Sequence, residues 1–370
     1  MTNLLTEIPD VLLMGPGPST IHPEVYKALA TSTLGHMDGD FIGIMDEIKR
    51  LLKITFRTEN DLTVAMSGTG SAGMETVFVN LVEKGDRVLV LENGVFGKRM
   101  IDVAGRLGAE VEVISREWGT AFEPAELEKK LDSGNYDIVA LVHAETSTGV
   151  RNPAESIGPM AKKAGALFIL DTVTSLGGIP VEVDDWGVDA CYSGTQKCLS
   201  VPPGLSPVTF SPEATEKLKS RKTKVPNWYL DLSMITQYWE GSKRSYHHTA
   251  PINMLYALYR SLLLLEEEGQ DGAFARHREC HELLVDGLSA LGLSLLVDPP
   301  YRLPMLNAVV VPEGVDEAAV RKTLRKEHNI EIGAGLGPLA GKIWRVGVMG
   351  YTAQPKHVER FLLALGDVLS

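Results

Sequence analysis

The stretch LTVAMSGTGSAGMETVFVNLVEKGDRVLVLE, residues 62–92, carries the pattern on which the fold turns. A short apolar run (LTVAM, 62–66) ends at Ser67-Gly68-Thr69-Gly70-Ser71-Ala72-Gly73. An amphipathic segment (AGMETVFVNLVEKG, 72–85) follows and stops at a glycine, a common helix terminator, and a second apolar run (RVLVL, 87–91) begins at once. Strand, helix, strand is the implied order. The rhythm continues outward. EVEVI (110–114), DIVALV (137–142), ALFILD (166–171), ACYSG (190–194) and PVTFS (207–211) read as further strands. GKRMIDVAGRLG (97–108), EPAELEKKLDSG (123–134) and AESIGPMAKKAG (154–165) read as helices between them. Several of the strands are continuous apolar runs, as strands buried on both faces must be. The expected fold is α/β: a mostly parallel sheet with helices on both faces. A helical bundle is excluded because the apolar runs are too short and too β-branched.

Upstream, GPGPS (15–19) reads as a turn, and MDEIKRLLKITF (45–56) has Ile48, Leu51 and Leu52 at helical spacing. Downstream, MLYALYRSLLLLEEEG (254–269) and FARHRECHELLVDGLSALG (274–292) read as long helices. The last hundred residues mix strands (LNAVVVP, KIWRVGV) with helices. This suits a smaller α+β domain beginning near Gly269 to Gly272. The expected division is an N-terminal arm (1–20), a large domain (21–270) and a small domain (271–370). The aromatic-rich segment 225–249 is weakly periodic and reads as a loop at an interface.

Composition narrows the partners. The 370 residues are 44% hydrophobic and 23% charged, ordinary for a globular chain. A net charge of −12 opposes a general affinity for nucleic acid or an anionic membrane. Three cysteines with no C-x-x-C pair give neither a disulfide framework nor a zinc motif, and point to a reducing compartment. The acidic, Gly/Pro-broken N-terminus does not read as a signal peptide, and no apolar run reaches membrane-spanning length. Val-Leu-Ser at the C-terminus is not the peroxisomal type. A cytoplasmic location is expected.

Gly68, Gly70 and Gly73 satisfy G-x-G-x-x-G, and Glu92 ends the next strand, which taken alone reads as a dinucleotide fingerprint. Glycines before a helix N-terminus equally suit any phosphate, or only a tight turn. About sixty residues precede the motif, whereas a dinucleotide fold opens with it. Asp171 ends the strand ALFILD, where ligands bind in open α/β sheets; a helix-capping role is the alternative. Lys197 lies 26 residues on, in the small-residue turn YSGTQKCLSVPPG (192–204), unlike a lysine of a solvated charge run. A phosphate loop, a strand-end acid and a turn lysine together have the form of a pyridoxal-phosphate site: amine for the Schiff base, anion for the ring nitrogen, helix end for the phosphate.

From these residues outward the chain resembles the class V aminotransferases of pyridoxal-phosphate fold type I, and among them the alanine–glyoxylate (serine–pyruvate) group. The resemblance runs from LLMGPGPS to KIWRVGVMGY, through SGTGSAGMET, ENGVFGKR, HAETSTGVRNP, LDTVTSLGGIPVEVDDWGVD, YSGTQKCLSVPPG, RKTK, YHHTAP and EIGAGLGPLAGKIWRVG. It implies pyridoxal 5'-phosphate as cofactor, Lys197 as its catalytic amine and Asp171 as the ring-nitrogen partner. Gly70, Ser71 and Gln196 would contact the phosphate and Thr146 the ring oxygen. Phe96 would stack on the ring where relatives carry Trp. Tyr246 and Thr249 would reach the phosphate of the neighbouring subunit of a homodimer. Arg345 would bind the substrate carboxylate, for which a planar fork is suited. A metal role for His247-His248 lacks a third ligand. The implied reaction is a ping-pong transfer from alanine or serine to glyoxylate or pyruvate. The alternatives are a 2-aminoethylphosphonate or aspartate–glyoxylate transaminase and, remotely, an NAD-dependent dehydrogenase using the glycine loop. A desulfurase is disfavoured because no cysteine follows Cys280. Gly35-His36-Met37-Asp38 lies near the pocket in this reading, without an assigned role.

Overall fold

A computed structural model describes residues 3–241 and 243–370. Seven strands form the main sheet: β1 (Leu62–Ser67), β2 (Arg87–Glu92), β3 (Glu110–Ser115), β4 (Ile138–Val142), β5 (Leu167–Asp171), β6 (Ala190–Tyr192) and β7 (Leu205–Phe210). Their spatial order is β1-β7-β6-β5-β4-β2-β3. Every strand runs the same way except β7, which is antiparallel to both neighbours. The apolar runs behave as their composition demands. All of β4 is buried, and β3, at an open edge, alternates between exposed and half-buried residues. Helix α1 (Gly70–Leu81) follows β1, and α2 (Val95–Arg106) follows β2. The helix Gly39–Phe56 buries Phe41, Met45, Ile48, Leu52 and Phe56, a stripe at 3.6-residue spacing, against the same core.

Gly73 sets how closely α1 approaches the sheet. A Cβ there would lie 1.8 Å from Ser206 Oγ and 3.3 Å from Tyr192 Cβ. Only a glycine permits this contact.

A second core forms around Leu284, Val309, Leu324, Trp344, Val346 and Phe361. Its sheet comprises β8 (Leu306–Val310), β9 (Gly333–Ala334) and β10 (Ile343–Gly347), antiparallel in the order β8-β10-β9. The N-terminal residues Leu12–Leu13 pair in parallel with Ile330–Glu331, beside this core. The two long helices Ile252–Glu268 and Gln270–Ala290 break at Gly269, where φ is +78°.

One expectation needs correction. The aromatic segment 225–249 is not simply a loop: Leu232–Trp239 is a two-turn helix capped by Asp231, whose side chain accepts from the Ser233 N–H. Its short length and mixed aromatic faces hide the period from the sequence. No described helix is long and apolar enough to cross a membrane.

Candidate active site

The carboxyl ends of the parallel strands lie along one edge of the sheet, and Asp171, Lys197 and the start of α1 lie there. Asp171 closes β5 and is fully buried, accepting a hydrogen bond from the Val173 N–H at 2.8 Å. Burial pushes its carboxyl up to about 7. Lys197 sits in the turn from β6 to β7 and is also buried. Burial, then the nearby Arg345 charge, pushes its amine down to about 8. No carboxylate lies within ion-pair distance of Lys197 among the described residues; its Nζ donates to the carbonyl of Pro16.

That contact gives GPGPS a place the sequence did not announce. The segment crosses directly over the lysine turn: the Ser19 N–H donates to the Gln196 carbonyl at 2.9 Å, and Ser19 Oγ donates to the Lys197 carbonyl at 2.7 Å. Gly17 has φ +101°, and a Cβ there would fall 2.6 Å from Lys197 Cδ. The positive φ favours glycine there, and any side chain would push the flexible end of Lys197 aside.

The glycine loop faces the same spot. Thr69 makes no side-chain cap for α1, so the first N–H groups of that helix are left for an anion. A Cβ on Gly70 would sit 3.3 Å from Val173 Cγ2 and 3.5 Å from Gly194 Cα. The loop therefore abuts both the Asp171 strand end and the Lys197 turn. Gln196 Oε1 is buried without a partner beside Gly194, and the Tyr192 hydroxyl is buried without a partner on the strand next to Asp171. Ser71 is exposed.

Phe96 is half-buried in the first turn of α2, with the Arg99 guanidinium 4.8 Å from its ring centroid. Thr146 is buried, and its hydroxyl lies 2.9 Å from that of Thr174. Strand alternation directs Arg345: Trp344 and Val346 enter the second core, and Arg345 points the other way, across to the main domain. Its Nε donates to the Ala334 carbonyl at 2.6 Å and its Nη1 to the Thr146 carbonyl at 3.3 Å. Arg345 is buried, and no carboxylate lies within 4 Å of it among the described residues. Burial pushes its guanidinium down to about 10.

Tyr246 and Thr249 are not joined to this group within the chain. Both are exposed, 3.5 Å apart through their oxygens, and Tyr246 packs on His36 at 5.0 Å. His248 ties the segment to the end of β1 through Ser67 Oγ at 2.7 Å, and His247 stacks on Trp228 at 4.5 Å. No cluster of three or more His, Cys, Asp or Glu groups suited to a metal occurs among the described residues.

Sequence reading missed Pro16, Gly17, Thr174 and Glu145. The last is a wholly buried acid in HAETSTG, just past the buried strand β4, and that position was its available signal.

The topology does not favour a dinucleotide site: among the described residues β1 lies at a sheet edge and pairs only with the reversed strand β7, whereas such a loop follows a strand at the switch point of a parallel sheet. Glu92 is engaged by the Trp118 Nε1–H at 2.8 Å.

An amine, a strand-end carboxylate and an uncapped helix thus meet at one sheet edge. The class V aminotransferase family model matches residues 22–351, and the chain belongs to that family. It is an aminotransferase of fold type I. Among curated relatives it is 40% identical to rat (Rattus norvegicus) alanine–glyoxylate aminotransferase, over 98% of this chain and 88% of that one. It is 38% identical to the (S)-ureidoglycine–glyoxylate transaminase of Bacillus subtilis, over 96% and 90%. A crystal structure of alanine–glyoxylate aminotransferase from Nostoc sp. superposes with a TM-score of 0.96 at 51% identity, over 98% of this chain and 96% of that one.

Proposed function

We propose that the protein transfers an amino group from alanine or serine to glyoxylate or pyruvate, with pyridoxal 5'-phosphate held between Lys197, Asp171 and the start of α1. The observation that carries this reading is a pair of buried cationic groups, the Arg345 guanidinium and the Lys197 amine, neither with a carboxylate within ion-pair distance among the described residues. Both relatives named above are glyoxylate aminotransferases by name, which supports the acceptor.

The residues fit the cofactor on their own chemistry. A buried carboxylate pushed up to about 7 lacks a cationic partner, and a protonated ring nitrogen is one. The uncapped helix end suits a phosphate. Arg99 covers one face of Phe96, leaving the other for an aromatic ring. When bound, pyridoxal phosphate supplies the electron sink for the breaking Cα–H bond and carries the amino group between half-reactions.

The chain's own work follows. Arg345 holds the substrate carboxylate through the donors left after Ala334 and Thr146 are served. Lys197, with its amine near 8, is partly neutral at physiological pH and takes the α-proton at Nζ. Asp171 would partner the cofactor's protonated ring nitrogen, which would hold its carboxyl in the anionic form. The Pro16–Gly17 ceiling excludes water over Nζ.

Two chains are proposed to complete each site, with Tyr246 and Thr249 reaching the neighbour's phosphate. Exposed Trp228, Tyr229 and Tyr246, and exposed Leu4, Leu5 and Ile8 near the N-terminus, support a homodimer. A division into large and small domains near Gly269 is supported by the two separate cores. Three free, buried cysteines support a reducing, cytoplasmic location.

The test is a spectral half-reaction screen of the loaded enzyme with L-alanine, L-serine, L-aspartate, (S)-ureidoglycine and 2-aminoethylphosphonate. Conversion of the bound-cofactor spectrum by alanine or serine at the lowest concentrations supports the reading. Conversion only by one of the other three overturns the donor assignment.

A further inference from the structure

Glu145 connects groups that the reaction needs and that come from distant parts of the chain. Its side chain is wholly buried. Oε1 accepts from the Ser147 N–H at 3.1 Å and the Ser147 hydroxyl at 2.5 Å. Oε2 accepts from the N–H groups of Phe96 at 3.1 Å and Gly97 at 3.4 Å. The last two are first-turn donors of α2, the helix that presents Phe96. The chain makes room for this contact: a Cβ on Gly94 would fall 2.2 Å from Glu145 Cδ. On the other side, the adjacent residue Thr146 gives its carbonyl to Arg345 Nη1. The negative charge of Glu145 also opposes the effect of burial on that guanidinium.

We propose that Glu145 is a positioning residue of the transamination site, fixing the Phe96 ring and the Arg345 guanidinium relative to one another through the start of α2 and the 144–149 turn. The inference rests on the function proposed above and assigns a role to a side chain that touches neither substrate nor cofactor.

Chemistry explains why the residue is an acid. All four partners are donors, so the group must accept at both ends. A carboxamide of the same size turns its NH2 toward two of those donors whichever way it is flipped, leaving N–H groups unpaired in a buried place. An aspartate is one methylene short of α2. A glutamate at this helix end also meets the positive end of the dipole.

The experiment is Glu145→Gln, purified and reconstituted with pyridoxal 5'-phosphate. Three quantities are read on folded protein: the cofactor Kd by fluorescence, the visible circular dichroism of the bound cofactor, and KM against kcat for L-alanine. The expected result is a cofactor Kd and an alanine KM each raised about tenfold or more, with weakened visible dichroism. A second expectation is that the KM effect shrinks in the Arg345→Lys background, because both changes act through one guanidinium. A purely structural role would lower the denaturation midpoint and leave Kd, dichroism and KM of the folded fraction unchanged; that outcome overturns the proposal. Should Glu145→Gln not accumulate as folded protein, Ser147→Ala removes one donor to Glu145 and the acceptor of the Val95 N–H at 2.9 Å. It should move the same three readouts in the same direction by a smaller factor, and no movement overturns the proposal. Wild-type enzyme separates the two claims. If it transfers no amino group from any donor, the functional reading fails and takes this inference with it. If it does so and the variants match it, only the role of Glu145 fails.

Discussion

Arg345→Lys is the substitution on which the reading depends most directly. A guanidinium has five N–H donors. Here the Ala334 carbonyl takes Nε–H and the Thr146 carbonyl takes one Nη1–H, leaving three donors for a carboxylate. A lysine of shorter reach cannot serve both carbonyls and still offer a paired contact. Losing one charge-assisted hydrogen bond costs ~1.5–3 kcal/mol. In kcat/KM for alanine that is roughly tenfold to 150-fold. Burial adds a pH signature. The wild-type guanidinium, pushed down to about 10, keeps its charge through neutral pH. A lysine in the same place is pushed down as well, from a lower start, so the variant should lose further affinity as pH rises through the neutral range. The decisive assay compares L-alanine with L-alaninamide, in which the carboxylate is a neutral amide. Wild-type enzyme should favour alanine strongly, and Arg345→Lys should narrow that ratio by about the same factor as it loses in kcat/KM. An unchanged alanine-to-alaninamide ratio would refute the assignment of Arg345 to the substrate carboxylate.

Lys197→Ala should abolish turnover and the visible absorbance of the cofactor-loaded protein, with partial rescue by an added small amine; full activity without amine contradicts the proton-transfer role. Asp171→Asn should cut the alanine half-reaction by orders of magnitude while altering the pH dependence of cofactor-free stability. The native carboxyl lies near 7 against an ordinary 3.8, so native protein binds the extra proton between those values and loses stability as pH rises from about 4 to about 7. At ~1.4 kcal/mol per pH unit, the Asn variant should match wild type near pH 4 and exceed it by a few kcal/mol at most above pH 7, measured by urea unfolding. Gly73→Ala places a methyl 1.8 Å from Ser206 Oγ and should destabilise by ~1–3 kcal/mol, weakening cofactor binding as the start of α1 shifts. Adding Ser206→Gly should restore much of both; a stable Gly73→Ala single variant means the close helix approach is not what requires the glycine.

The strands were legible because burial on both faces forces continuous apolar runs, as in IVALV of β4. Lys197, Asp171 and Gly70 were legible because each stands at a break between such runs, where a polar residue or glycine is conspicuous. Chain-distant relations left no local mark. The reversal of β7 cannot be read from PVTF, because antiparallel and parallel strands share one side-chain period. Nothing in GPGPS states that it will lie over a lysine about 180 positions later. Glu145 was visible as a letter and invisible as a hub, since its donors come from residues 96, 97 and 147.

The charge of the chain acquires a different meaning beside this site. Forty-eight acidic side chains outnumber thirty-six Lys and Arg, yet the buried Arg345 has no carboxylate within ion-pair distance among the described residues. Exposed cations pair freely with acids, as Arg50 does with Glu47 and Glu266. Leaving a buried charge unpaired costs stability, which a partner repays only by arriving with its own charge. Placing Glu145 four hydrogen bonds deep, against α2 and not against Arg345, leaves the guanidinium's free donors unfilled. On the proposed function, a small substrate carboxylate is the partner that would satisfy this guanidinium, in a chain whose net charge of −12 otherwise disfavours anions.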